Sequence, residues 1–120
     1  MELLVTKGLV KSIGVSNCTI PMMIDLLAYA EIKPVINQIE MHPYLNNADV
    51  LRFHQKWGVV LVGYSPIGGE GGSVLDDAVL AEIATSKGKS AAQICLAWHV
   101  KRGTIPIPKT ASIERLAQNI

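Results

Sequence analysis

"PVINQIEMHPYLNNADVLRFHQKWGVVLVGY", residues 34–64, holds a whole folding unit. PVINQIE is strand-like, HPYLNN is made of turn-forming residues, and ADVLRFHQKWG is an amphipathic helix ended by Gly58 as its C-cap. VVLVGY then reads as a buried strand. Strand, turn, helix, strand is the order that joins two parallel strands through a right-handed crossover.

The same order recurs on both sides. Upstream, SIGVS at 12–16 is a short strand closed by Asn17, and TIPMMIDLLAYAEI places Met23, Leu26, Leu27 and Ala30 at helical spacing. Downstream, the glycine-rich loop SPIGGEGGS leads to Leu75–Asp76–Asp77 and a helix through about Ser86, broken at Gly88. Ser90 is placed as the N-cap of SAAQICLAWHVKRG, Gly103 closes that helix, TIPIP is a fourth strand, and Ser112 caps IERLAQNI. At the start, MELLVTKGLVK puts Met1, Val5 and Leu9 on one helical face without a cap, so the expectation is a chain that begins inside an element. Strands that read as nearly continuous apolar runs predict a parallel sheet covered on both faces. The class is α/β, with either a doubly wound sheet or part of a (β/α)₈ barrel, and in both cases ligands sit at the carboxyl ends of the strands. About four strands occupy 120 residues, where a closed barrel takes eight strands and about 250 residues, so half of a barrel is expected.

Composition narrows the partners. The chain is 49% hydrophobic and 18% charged with a formal net charge of +1, which suits a packed domain and offers no field for nucleic acid. No apolar run approaches the roughly 18 residues that span a bilayer. The first residues lack signal-peptide order, and Cys18 and Cys95 lack metal or redox spacing, so a cytoplasmic location with two structural thiols is expected. His42 reads as a turn anchor rather than a ligand, since no second histidine stands at metal spacing. His54 and His99 read as helix residues, partly exposed or packed, and Trp57 and Trp98 as packing residues. Glu40, with no partner acid or base, reads as structural.

Residues at the strand ends carry the chemistry: Ser16 and Asn17, Gln38 and Glu40, Tyr64, Ser65 and Pro66, then Lys109 and Thr110. Ser, Asn and Gln supply donors and acceptors suited to a carboxamide, Tyr64 a flat face, and Lys109 with Arg115 positive charge for a phosphate. Such a set could hold a nicotinamide dinucleotide. No strand is followed by the glycine fingerprint of the Rossmann type, and GGEGG at 68–72 lacks the Gly-Lys-Ser/Thr of a P-loop, leaving a flexible loop or one that covers a cofactor. Lys109 and Arg115 taken alone would be a solvated surface pair.

GLVKSIGVSN at 8–17, INQIEMHPYL at 36–45, VGYSPIGG at 62–69 and IPKTASIERLAQNI at 107–120 resemble the aldo-keto reductases in order and spacing, as does the helix motif at 90–103. That resemblance, covering nearly the whole chain, implies an NADP(H)-dependent (β/α)₈-barrel enzyme that reduces aldehydes, ketones or sugars. It implies that Ser16, Asn17 and Gln38 bind the nicotinamide carboxamide and that Tyr64 stacks on the ring. Ser65 and Ile67 would follow the pyrophosphate, Lys109, Thr110 and Ser112 would surround the adenosine 2′-phosphate, and Arg115 would stack on adenine or pair with that phosphate. Asn119 would bind the adenine amino group beside Gln118, which stands where the family commonly has Glu. The tyrosine, lysine, aspartate and histidine of the family's chemistry match no residue present. The implied picture is a C-terminal half-barrel without the catalytic tetrad, inactive alone, its carbonyl substrate bound by the complete barrel, and with open edges suited to self-association. The alternative is a non-catalytic NADP(H)-binding half-barrel or association module.

Overall fold

The computed structural model describes residues 1–69 and 74–119. Helices and strands alternate: α1 Glu2–Thr6, β1 Gly14–Ser16, α2 Ile20–Tyr29, β2 Ile36–Glu40, α3 Ala48–Trp57, β3 Val60–Tyr64, a 3₁₀ turn Val74–Asp76, α4 Ala78–Lys87, α5 Ala91–Lys101, β4 Ile105–Pro106 and α6 Ile113–Gln118. The strands form one sheet in chain order, β1-β2-β3-β4. β1 pairs parallel with β2, Gly14 opposite Ile36 and Ser16 opposite Gln38. Val60 N–H donates to the Val35 carbonyl and Met41 N–H to that of Tyr64, so β2 and β3 also advance together.

Two compact units divide the chain, residues 1–39 with 47–62 and residues 40–46 with 63–120. In the first, Met23, Leu27 and Val59 form a buried cluster onto which Val15, Cys18, Leu26 and Phe53 pack. Helix α2 starts at Thr19 with Pro21 in its first turn, where a missing N–H costs nothing. Helix α3 stops at Gly58, whose φ of 69° is a conformation open to glycine without strain. In the second unit, Ser90 and Gln93 form the reciprocal capping box of α5, and Asp77 caps α4 by accepting from Leu80 N–H. Tyr44 hydroxyl donates to the same Asp77 carboxylate, and the Arg102 guanidinium lies over the Trp98 ring at 4.5 Å.

Two expectations change. Helix α1 ends at Thr6 and Gly8 takes a φ of 68°, so Leu9 lies beyond the helix and is exposed. Cover on both faces holds for β3, where Leu61, Val62 and Gly63 are buried in succession, but not for β2, where Asn37 and Ile39 are buried while Ile36, Gln38 and Glu40 are only half-buried. Val60, Ile105 and Ile107 are exposed. Of the two readings of His54 and His99 the packed one holds, since both are wholly buried and hydrogen-bonded.

Candidate functional site

The residues singled out in the sequence fall into two groups, one in each unit. In the first unit β1 delivers Ser16 beside Gln38 of β2. Ser16 hydroxyl donates to the Gln38 backbone carbonyl at 3.0 Å, and Asn17 N–H donates to the same carbonyl at 2.8 Å. Asn17 then turns the chain with a φ of 54°, a region few non-glycine residues occupy but one that asparagine tolerates. Ser16 and Asn17 are exposed and Gln38 is half-buried at the strand ends.

Under this turn lies a residue that sequence reasoning passed over. Asn37 is wholly buried; its amide nitrogen donates to the Cys18 carbonyl at 2.9 Å and its amide oxygen accepts from Cys18 N–H at 3.3 Å. The His54 Nε2 lies 3.0 Å from the Asn37 amide nitrogen, and its Nδ1 lies 2.8 Å from the Val50 carbonyl. A signal was available: in a strand, neighbours face opposite ways, so a Gln38 turned to the open face sends Asn37 into the packed one, where a polar side chain needs partners.

In the second unit Tyr64 ends β3, half-buried, and Ser65 follows with a φ of 48° in a tight turn closed by Gly68 N–H donating to the Ser65 carbonyl at 2.9 Å. Pro66 is buried beneath it and Ile67 half-buried. Ile107 N–H donates to the Gly63 carbonyl at 3.1 Å, which sets the start of the 107–119 segment beside β3. Thr110 Oγ1 accepts from Ser112 N–H and Ser112 Oγ accepts from Arg115 N–H, the N-cap of α6. Each hydroxyl thus accepts a backbone N–H and still has its own proton to donate. Lys109 and Arg115 are exposed on either side of this cap, and Asn119 ends the helix. Gln93 amide nitrogen donates to the Gln118 carbonyl at 3.1 Å, tying α6 to α5. Two cations and two hydroxyl donors around one helix start are donors for a phosphate group.

Residues 70–73 lie outside the described residues, and with them most of the GGEGG loop read as a possible cofactor cover. Among the described residues no three His, Cys, Asp or Glu side chains gather as a metal site would require, and no helix is long and apolar enough to cross a membrane. His42 sits in a tight turn, exchanging backbone hydrogen bonds with Leu45.

The model of the aldo/keto reductase family matches residues 1–120. An NADP-dependent D-sorbitol-6-phosphate dehydrogenase of Malus domestica is 44% identical, aligned to 100% of this chain and 41% of its own length. Aldose reductase B of Dictyostelium discoideum is also 44% identical, over 99% of this chain and 38% of its own. The chain thus spans about two fifths of the curated relatives it matches. Among solved structures, aldose reductase of Giardia lamblia superposes with a TM-score of 0.92 at 43% identity, covering 99% of this chain and 41% of that one. A Bombyx mori aldo-keto reductase crystallised with NADP superposes at 0.93 with 37% identity, again over 99% and 41%. The four parallel strands and their helices are therefore part of a (β/α)₈ barrel. A family model that runs from the first residue to the last, with relatives this similar along the whole of it, makes the chain a member of the aldo/keto reductase family.

Proposed function

We propose that the chain holds NADP(H) within an aldo-keto reductase that reduces aldehyde, ketone or sugar carbonyls to alcohols, residues 1–120 being the C-terminal half of that domain. The observation that carries this reading is the pair of exposed cations, Lys109 and Arg115, before and after a helix start whose two hydroxyls each accept a backbone N–H and keep a proton to donate. A 2′-phosphate meets such donors with charge-assisted bonds worth about 1.5–3 kcal/mol each, whereas a ribose hydroxyl does not. Names of relatives that are NADP-dependent or were crystallised with NADP support the same coenzyme.

In this reading Ser16, Asn17 and Gln38 hold the carboxamide and so fix which ring face meets the substrate. Tyr64 offers a stacking face, Ser65 and Ile67 run along the pyrophosphate, Lys109, Thr110, Ser112 and Arg115 grip the 2′-phosphate end, and Gln118 with Asn119 reaches adenine. When bound, NADPH supplies the hydride for the carbonyl carbon. Protonation of the carbonyl oxygen belongs to the complete barrel, so the chain alone is expected to turn over no aldehyde. Two free thiols, Cys18 and Cys95, suit a reducing, cytoplasmic setting.

A second reading, an NADP(H)-binding module that associates with another copy, draws on Val60, Ile105 and Ile107, which are 39%, 50% and 42% exposed on or beside the strands. Sedimentation separates it: a concentration-dependent dimer supports association, and a monomer at all concentrations counts against it. For the leading reading, NADPH fluorescence is titrated with the chain and with Lys109→Ala and Arg115→Ala. Saturable binding that weakens about tenfold or more in each variant is expected; a parent chain that binds no NADPH contradicts it.

A further inference from the structure

We infer that Asn37, backed by His54, is a positioning residue that holds the Ser16–Asn17 turn in its ligand-ready shape; the inference rests on the NADP(H) reading above. β1 ends at Ser16, and the chain leaves the ladder through Asn17 in a left-handed conformation that costs free energy unless its surroundings enforce it. On the near side of that turn the Gln38 carbonyl collects Ser16 hydroxyl and Asn17 N–H. On the far side the Asn37 side chain grips both peptide groups of Cys18, donating to its carbonyl and accepting from its N–H. A side-chain amide here does what a neighbouring strand would do, extending the ladder past a residue that has turned out of it.

The orientation of that amide is fixed by its partners. Cys18 N–H can only donate and the Cys18 carbonyl can only accept, so the Asn37 oxygen faces the first and its nitrogen the second. The remaining Asn37 N–H needs an acceptor, because Asn37 is wholly buried. His54 supplies it. The Val50 carbonyl can only accept, so His54 Nδ1 carries the proton and donates there at 2.8 Å, which leaves Nε2 as a lone pair facing the Asn37 nitrogen at 3.0 Å. From Val50 in α3, through His54 and Asn37, to the backbone beside Asn17, every donor has one acceptor. Within β2, Gln38 faces the ligand and its neighbour Asn37 sets the shape of the turn that shares the task.

The consequence is local to one end of the coenzyme. Lys109, Thr110, Ser112 and Arg115 belong to the other unit. Binding of NADP⁺, which has a carboxamide, and of 2′,5′-ADP, which has only the phosphate and adenine, therefore distinguishes the two ends. Calorimetric titration of the full chain is expected to give tighter binding of NADP⁺ than of 2′,5′-ADP. Asn37→Ala is expected to weaken NADP⁺ about tenfold and leave 2′,5′-ADP within about twofold. Should Asn37→Ala not fold, His54→Leu tests the same link, and His54→Gln, which restores an acceptor at the Nε2 position, is expected to recover NADP⁺ binding. Equal weakening of both ligands, no weakening of either, or no recovery in His54→Gln overturns the positioning role. A parent chain that binds 2′,5′-ADP as tightly as NADP⁺ overturns it too while sparing the phosphate end, and one that binds neither contradicts the coenzyme reading itself.

Discussion

Gly63 shows how tightly one residue of β3 is constrained. A Cβ built there would stand 2.5 Å from His99 Cε1, a distance real Cβ atoms essentially never show, and a tight 3.3 Å from the Met41 Cβ. His99 cannot step aside freely, because Thr104 hydroxyl donates to the His99 carbonyl at 3.0 Å and so accepts from His99 Nδ1–H at 2.9 Å. Gly63→Ala is therefore expected to destabilise the chain by about 1–3 kcal/mol, the usual cost of overpacking, read as a lower urea midpoint. Tyr64 follows directly, so the same variant is expected to shift its ring. Sequence reasoning singled out Tyr64, Lys109 and Arg115 because strand ends and charges are local features. It passed over Gly63 and Asn37, and named His54 and His99 without their partners, because those contacts exist only once distant residues meet.

Among the elements, helices were more legible than strands. Gly58, Gly88, Ser90 and Ser112 all mark helix ends where their chemistry placed them. The first helix was overextended, since the apolar spacing of Met1, Val5 and Leu9 continues past Gly8 while the backbone does not. The strands were found, but not which face stays open, because an apolar run looks the same whether its outer residues meet a helix or nothing. Helix α5 offers an element-level test. Ser90 Oγ accepts from Gln93 N–H at 3.2 Å, and Gln93 Oε1 accepts from Ser90 N–H at 3.0 Å. Ser90→Ala is expected to cost about 1 kcal/mol in thermal or urea unfolding. Because Gln93 also holds the Gln118 carbonyl, hydrogen exchange in α6 is expected to rise with it.

For the whole molecule, acid stability follows from a buried imidazole. Burial holds His99 below the ordinary histidine pKa of 6.5; the Met41 and Pro66 carbonyls pull it up, and positive charge at Arg102 and His42 pushes it further down. A depressed folded value means that the unfolded chain takes up the proton first. The stabilisation is therefore complete above 6.5 and fades as pH falls from there through the folded pKa. The urea midpoint is expected to drop as pH falls below that value, and His99→Gln to flatten the drop. Coenzyme choice, which the proposed function assigns to the segment 107–119, is the larger property. Its most direct measurement is the ratio of NADPH to NADH dissociation constants for the parent chain and for Lys109→Ala with Arg115→Ala combined. NADPH tighter by about tenfold or more, with the ratio collapsing toward one in the double variant, is the expected result; equal affinity for the two coenzymes in the parent, or an unchanged ratio in the variant, would contradict it.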